Sequence, residues 1–102
     1  MKTKFPEVLV IENKIFKDYR GYFFESWRKD LNLPKFKQEN CSYSIKNVLR
    51  GLHFQTDLAV QGKLIQILND GKILDVAVDI RRDSPTYGDW SSVELDNTKS
   101  LY

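Results

Sequence analysis

The stretch that decides the fold is Lys72-Ile73-Leu74-Asp75-Val76-Ala77-Val78-Asp79-Ile80-Arg81, in which apolar residues recur at every second position. A strand turns alternate side chains to opposite faces. One face therefore carries Leu74, Val76, Val78 and Ile80, and the other carries Asp75, Ala77, Asp79 and Arg81. The preceding Asn69-Asp70-Gly71 is a strong hairpin signal, because Asp-Gly supplies the positive φ angles of a tight turn. We expect a strand over 72–81 and a buried strand over 63–68.

Short apolar runs between turn residues continue in both directions from this stretch. They predict strands at Val8 to Ile11, at Tyr22 to Trp27 after a turn at 18–21, at Asn47 to Gln55 with an interruption at Gly51, and at Trp90 to Leu95. Residues 30–34 predict a helical turn or a loop, residues 84–88 a loop, and residues 100–102 the start of another strand. Six or so strands with hardly any helical period indicate an all-β sandwich or barrel.

Composition limits the classes of function. The chain has 102 residues, which allows one domain, and a net charge of +2 with both signs interspersed. A binder of nucleic acid needs a basic stripe, so no nucleic-acid partner is expected. No apolar run approaches the length of a membrane span, and residues 1–6 lack the apolar core of a signal peptide. The single cysteine, Cys41, cannot form an internal disulfide, which favours a cytoplasmic location.

The residues most suited to chemistry lie in 47–55. His53 is the only histidine, and a bulge at Gly51 could bring it to the same face as Arg50. Considered alone, this pattern favours a histidine that is hydrogen-bonded inside a barrel over a catalytic one.

Two further clusters and a pair of aspartates are candidates. Residues 18–26 place Arg20 before a glycine and Glu25 beyond it, which an exposed hairpin turn with a surface ion pair also explains. Lys63 enters a segment that looks buried, where an unpaired lysine costs free energy unless it faces a wet cavity. Asp75 and Asp79 fit a solvated outer face as well as a cavity. One histidine and one cysteine make a zinc site implausible, so no metal is expected.

Six stretches, in the same order and spacing, resemble the dTDP-4-dehydrorhamnose 3,5-epimerase family of cupin-type (jelly-roll) β-barrel enzymes. They are 18–26, 38–40 followed by Ser42, 47–55, 61–64, 75–81 and 84–88. The resemblance implies an isomerase of deoxysugar and polysaccharide biosynthesis. Such an enzyme epimerises C3 and C5 of dTDP-4-dehydro-6-deoxyglucose, giving dTDP-4-dehydrorhamnose, without a cofactor or a metal.

The resemblance also implies roles for individual residues. His53 matches the base that removes the protons beside the C4 ketone, Lys63 matches a cation near the ketone oxygen, and Asp75 matches an active-site carboxylate. The positions that hold the nucleotide diphosphate and the sugar are matched by Arg20, Glu25, Gln38, Asn40, Arg50 and Lys63.

Family members are longer than this chain, and they supply a general-acid tyrosine from a segment beyond the position that matches Tyr102. Residues 1–102 are therefore expected to be the N-terminal part of a single epimerase-type cupin domain whose barrel is incomplete at the C-terminus. The resemblance further implies a homodimer that exchanges N-terminal strands, with 8–11 as the candidate. Two alternatives remain open: a non-catalytic remnant that binds nucleotide sugars, and a 3- or 5-epimerase of a related keto-deoxysugar. The isolated 102 residues are expected to lack epimerase activity and to associate.

Overall fold

The computed structural model describes residues 3–56, 58 and 60–102. The chain divides into two units, one formed by Met1–Arg28 with Lys63–Tyr102 and the other by Lys29–Gly62. No helix among the described residues is long and apolar enough to cross a membrane.

The first unit contains every strand that the described residues form. The strands are β1 (Val10–Glu12), β2 (Ile15–Asp18), β3 (Gly21–Phe24), β4 (Ile73–Val78), β5 (Trp90–Leu95) and β6 (Lys99–Leu101). They associate as three two-stranded antiparallel sheets, β1–β6, β2–β3 and β4–β5. The all-β class predicted from the sequence is confirmed.

The hairpin of β2 and β3 follows from its turn residues. Asp18 pairs with Gly21, which leaves Tyr19 and Arg20 as the two loop residues. Gly21 has φ +139°, a conformation that a residue with a Cβ rarely adopts. The Asp18 Oδ1 atom accepts the Arg20 backbone N–H at 2.8 Å and closes the turn. The predicted turn at 18–21 is confirmed, and the strand after it ends earlier than predicted, at Phe24.

In the ribbon of β4 and β5, the face of β4 that carries Asp75 and Ala77 is the more buried one, although the face with Val76 and Val78 is more apolar. Asp75 lies opposite Val93 and Ile73 opposite Leu95, and Val93 and Leu95 are both buried. On the other face Val76 lies opposite Ser92 and Val78 opposite Trp90, and those apolar side chains are exposed. The alternation over 72–81 is therefore observed, but a solvated outer face for Asp75 and Asp79 is the wrong interpretation. The buried Val93 and Leu95 of β5 determine which face of the ribbon lies against the core.

The core of the first unit is small and joins three strands. Val10, Val93, Leu95 and Leu101 form it, and three half-buried residues pack against them: Val8, Ile65 and Ile67. Leu9 exchanges two backbone hydrogen bonds with Tyr102, which extends the β1–β6 pairing by one residue. The predicted strand at the N-terminus is confirmed, although it starts two residues later and ends one residue later than predicted. The predicted strand near 100–102 is confirmed as β6.

Several predicted strands are not formed. Residues 47–55 contain no strand, and 63–68 contribute only an isolated bridge between Ile65 and Leu101. The hairpin predicted at 69–71 is wrong as well, because β4 pairs with β5 instead of with the segment before it. These segments have the composition of strands, but no neighbouring strand supplies the hydrogen bonds that would make them one.

The second unit has little regular structure among its described residues. It contains a 3-10 helix at Lys29–Leu31, as one of the two interpretations of 30–34 predicted. Asn47 and Gly51 adopt positive φ angles of 69° and 112°. Most described side chains in this unit are exposed.

Candidate functional site

Arg20 lies in the turn between β2 and β3, and its side chain is 74% exposed. Its Nε and Nη2 atoms donate to Asp18 Oδ2 at 3.2 and 2.7 Å. These hydrogen bonds keep the Asp18 pKa below its usual range. The guanidinium carbon lies 5.8 Å from the centre of the Tyr19 ring, within the range of a cation–π contact. A cavity of about 280 Å³ opens here and is lined by Phe16, Asp18, Arg20, Gly21, Tyr22 and Phe23.

Glu25 and Lys63 belong to the same unit as Arg20. Glu25 Oε2 accepts a hydrogen bond from Arg28 Nη1 at 3.1 Å. The surface ion pairs near this turn are therefore Arg20 with Asp18 and Arg28 with Glu25, and Arg20 and Glu25 do not pair with each other. Lys63 is exposed rather than buried, and it has no ion pair within the described part of the chain. Its ammonium group is free to meet an anion.

Asp75 is half-buried on β4, on the face that turns towards Val93 and Leu95. Burial disfavours the charged carboxylate, and this raises the pKa of Asp75 above its usual value. A carboxyl group with a raised pKa on an inner wall is typical of functional sites, although structural carboxyls can also show it.

The second unit holds the remaining four candidates. Gln38 Nε2 donates to Asn40 Oδ1 at 3.1 Å, so two of the predicted substrate-binding amides are neighbours. Arg50 Nε donates to Ser44 Oγ at 2.8 Å, and its Nη2 donates to the Tyr43 carbonyl at 3.3 Å.

His53 in this unit is exposed and makes no side-chain hydrogen bond to any described residue. A buried histidine, hydrogen-bonded inside a barrel, is therefore the wrong interpretation. A bulge at Gly51 is not formed either, since no strand is present there. The imidazole is open to a ligand on the solvent side.

Asp79, for which the sequence left open a solvated outer face or a cavity, is a buried polar group of the first unit. Its side chain is 3% exposed, and it accepts hydrogen bonds from Arg81, Ser84 and Thr86. These partners hold the pKa of Asp79 far below its usual range. Arg81 continues to Glu7 at 2.9 Å, which ties the 81–88 loop to the N-terminal segment. In the sequence, Ser84 and Thr86 follow Asp79 closely, and their hydroxyl groups are the feature that could have predicted its burial. Their hydrogen bonds to Asp79 indicate that this carboxylate holds the loop in place.

The structure thus groups the candidates in two sets. Arg20, Glu25, Lys63 and Asp75 lie in the first unit, and no described hydrogen bond links them to one another. Gln38, Asn40, Arg50 and His53 lie in the second unit, where Gln38 and Asn40 are the bonded pair. Over 3–56, 58 and 60–102, no three His, Cys, Asp or Glu side chains come close enough together to hold a metal ion.

Comparison with protein families finds one model that matches residues 2–102, described as dTDP-4-dehydrorhamnose 3,5-epimerase. Among individual proteins, the dTDP-4-dehydrorhamnose 3,5-epimerase of Salmonella typhimurium is 46% identical over 110 residues, covering 100% of this chain and 60% of the relative. The protein of the same name from Methanothermobacter thermautotrophicus is 42% identical, with 93% and 53% covered. The chain spans 60% of the length of the first of these relatives and 53% of the second.

Solved structures give the same result. A Legionella pneumophila dTDP-6-deoxy-D-glucose-3,5-epimerase in complex with dTDP-4-keto-L-rhamnose superposes with a TM-score of 0.87 at 43% identity, covering 99% of this chain and 57% of that one. A Bacillus anthracis dTDP-4-dehydrorhamnose 3,5-epimerase with TDP and PPi bound has a TM-score of 0.86 at 41% identity, with 99% and 62% covered. The fold of this chain is therefore the cupin-type fold of these structures.

Proposed function

Because the chain belongs to the dTDP-4-dehydrorhamnose 3,5-epimerase family, we propose that the protein carrying it converts dTDP-4-dehydro-6-deoxyglucose to dTDP-4-dehydrorhamnose. The reaction inverts C3 and C5 beside the C4 ketone. The observation that supports it most is the family match over residues 2–102. The likeness to a structure that contains dTDP-4-keto-L-rhamnose points to the same class of ligand.

The chemistry asks for a base and for a cation near the ketone oxygen. We assign the base to His53, whose imidazole is exposed, since imidazole is the side chain that most often serves as a general base. The base takes the proton from C3 or C5, and the electron pair of the broken C–H bond moves onto the C4 oxygen. We assign to Lys63 the stabilisation of that enolate oxygen, since its ammonium group is exposed and has no ion pair within the described residues. The electron pair then returns from the C4 oxygen to the carbon, which takes a proton from a general acid on its opposite face, and this completes the inversion.

The remaining candidates are proposed to bind the substrate. Arg20 and Arg50 are the cations suited to the diphosphate, because a guanidinium pairs with phosphate through two parallel hydrogen bonds. Glu25, Gln38 and Asn40 are proposed to hold the nucleotide and the sugar through polar contacts. Asp75 is proposed as a carboxyl group in the wall of the site, where its burial and raised pKa are consistent with a closed, poorly hydrated surrounding.

The test is solvent-deuterium incorporation at C3 and C5 of the keto-sugar by the protein that carries this chain. His53→Ala should abolish incorporation and leave TDP binding nearly unchanged, because the base acts on carbon and the diphosphate is held elsewhere. A Lys46→Ala variant, which changes an exposed cation given no role in the site, serves as the control. Full deuterium exchange in His53→Ala would remove the histidine from the mechanism.

A second candidate is a nucleotide-sugar-binding protein without catalysis. TDP binding without any deuterium incorporation by the unmodified protein would select it. Incorporation at only one of the two carbons would instead indicate a 3- or 5-epimerase.

We further propose that residues 1–102 are the N-terminal part of one epimerase-type cupin domain that works as a homodimer. The support for the dimer is the outer edge of β1, which has no strand partner among the described residues and can accept a strand of a second subunit. We place the activity in a reducing cytoplasm, since the single cysteine, Cys41, is exposed and cannot form an internal disulfide. Light scattering on the protein decides its oligomeric state.

A further inference from the structure

Asp18 uses its two oxygens for different purposes. Oδ1 accepts the backbone N–H of Arg20 and shapes the turn, whereas Oδ2 accepts both Nε–H and one Nη2–H of the guanidinium. The carboxylate therefore holds the side chain through one oxygen and the main chain through the other. The two purposes can be separated by substitution.

A guanidinium has five N–H donors, and Asp18 engages two of them. Both hydrogens of Nη1 and one of Nη2 remain without a described acceptor. One Nη1 hydrogen and the free Nη2 hydrogen lie on the same edge of the planar group, and this edge has the geometry that a phosphate accepts through two parallel bonds. The Tyr19 ring lies beside the guanidinium, and the cavity of about 280 Å³ adjoins it.

We infer that Asp18 is a positioning residue for the diphosphate: it fixes the Nε–Nη2 edge of Arg20 so that the Nη1–Nη2 edge stays free for the ligand. This inference rests on the proposed function, because it takes Arg20 as a diphosphate ligand. An arginine in a turn, with its side chain 74% exposed, loses conformational freedom when it binds an anion. A fixed guanidinium has already lost part of that freedom, so the ligand binds more tightly.

The alternative is that Asp18 only stabilises the turn. The two alternatives predict different changes in TDP affinity when Asp18 is replaced by asparagine. Asp18→Asn keeps one oxygen for the Arg20 backbone N–H but replaces the acceptor of the guanidinium by an amide NH₂. It also removes a negative charge, which by itself strengthens the binding of an anion. A residue that only shapes the turn therefore gives unchanged or tighter TDP binding in Asp18→Asn, whereas a positioning residue gives weaker binding.

The experiment is calorimetric titration of TDP into the protein that carries this chain, as wild type, Asp18→Asn, Arg20→Ala and the double variant. We expect Asp18→Asn to weaken TDP binding about threefold, in the range of one exposed ion pair, and to have no weakening effect once Arg20 is alanine. Asp70→Asn is the charge-matched control, because Asp70 is exposed and has no described partner. It should leave the affinity unchanged or slightly higher.

Unchanged or tighter binding by Asp18→Asn overturns the inference, and so does an equal weakening in the Arg20→Ala background. In both cases the proposed function stands, provided that Arg20→Ala alone weakens TDP binding. A wild type that does not bind TDP overturns the proposed function and the inference together.

If Asp18→Asn does not fold, the wild type titrated with pyrophosphate gives a second test by NMR of the Arg20 guanidinium. The Nη resonances should shift while Nε–H keeps its shift, because Asp18 remains bonded to it. A shift of Nε–H as large as that of Nη shows that the anion displaces Asp18, and overturns the inference.

Discussion

Asp75 and Asp79 are four residues apart in one motif, yet their carboxyl groups have opposite electrostatic surroundings. Arg81, Ser84 and Thr86 all donate to Asp79, and these hydrogen bonds favour its charged form. Asp75 has no such donors among the described residues, and its burial favours the neutral form. Sequence spacing alone gives both residues the same face, so it could not distinguish an anchor from a candidate catalytic group.

Asp75→Asn should stabilise the fold at pH 7 and should lose this advantage in acid. The folded-state pKa of Asp75 is raised, so ionisation at neutral pH opposes folding, while below the ordinary value of 3.8 the carboxyl group is neutral in both states. We expect the Tm at pH 7 to rise by a few degrees, on the order of 2–6 °C. The difference should vanish at pH 3.

Calorimetry of wild type and Asp75→Asn at the two pH values makes this measurement, with Asp70→Asn as the exposed control. A lower Tm for Asp75→Asn at pH 7 would show instead that the carboxylate has a favourable partner.

At the scale of elements, one local turn and one short strand were predicted correctly, whereas the local turn signal at 69–71 did not produce a hairpin. The turn at 18–21 and the strand Trp90–Leu95 are found as predicted, since a two-residue turn and a short alternating run depend on few distant partners. Residues 47–55 and 63–68 have equally suitable compositions but form no strand. A strand forms there only if a neighbouring strand provides hydrogen-bond partners, and the composition of a segment does not reveal whether such a neighbour exists.

The same reason explains the ribbon of β4 and β5. Its more apolar face, with Val76 and Val78, is the exposed one, because Val93 and Leu95 of β5 bring the other face into the core. The alternation was predicted from the sequence, but which face is buried depends on the pairing of β4 with β5. Among the site candidates, positions within local turns were predictable, whereas the exposure of His53 was not.

The hairpin gives a prediction at this scale. Gly21→Ala should destabilise the β2–β3 hairpin by about 1 kcal/mol through backbone strain, since Gly21 has φ +139°. A Cβ at this position meets no atom within 4 Å, so steric contact does not contribute.

Thermal unfolding of Gly21→Ala measures the loss, with Lys17→Ala, a change at an exposed position of the same hairpin, as the comparison. An unchanged Tm for Gly21→Ala would mean that the turn relaxes to a different conformation at no cost.

At the scale of the whole molecule, the 102-residue polypeptide exposes many large apolar side chains, several of them on one face of one ribbon. Leu74 is 67% exposed and Trp90 61% exposed on the outer face of the β4–β5 ribbon, which continues through Val76 and Val78. Contiguous apolar patches of this kind promote association. Each of the two-stranded sheets also has backbone edges at which further strands can pair.

We therefore expect the 102-residue polypeptide to self-associate at micromolar concentration, and the double variant Leu74→Lys with Trp90→Lys to remain largely monomeric. Since both side chains are already exposed, their replacement should lower the Tm little. Size-exclusion chromatography with light scattering measures the molar mass, and Lys17→Ala on the hairpin serves as the control. A wild type that is monomeric throughout would contradict the expectation.

The pairing of β1 with β6 also sets the order in which the molecule can be assembled. Val10 pairs with Leu101, so the paired residues are about 90 positions apart in the chain. Closing so large a loop is entropically costly, and contacts of long sequence separation slow folding. On a ribosome that adds about 5–20 residues per second, β1 waits for several seconds before β6 exists, whereas the β2–β3 hairpin can form at once. During that interval β1 depends on other partners, and the nascent chain is most exposed to chaperones and to neighbouring copies of itself.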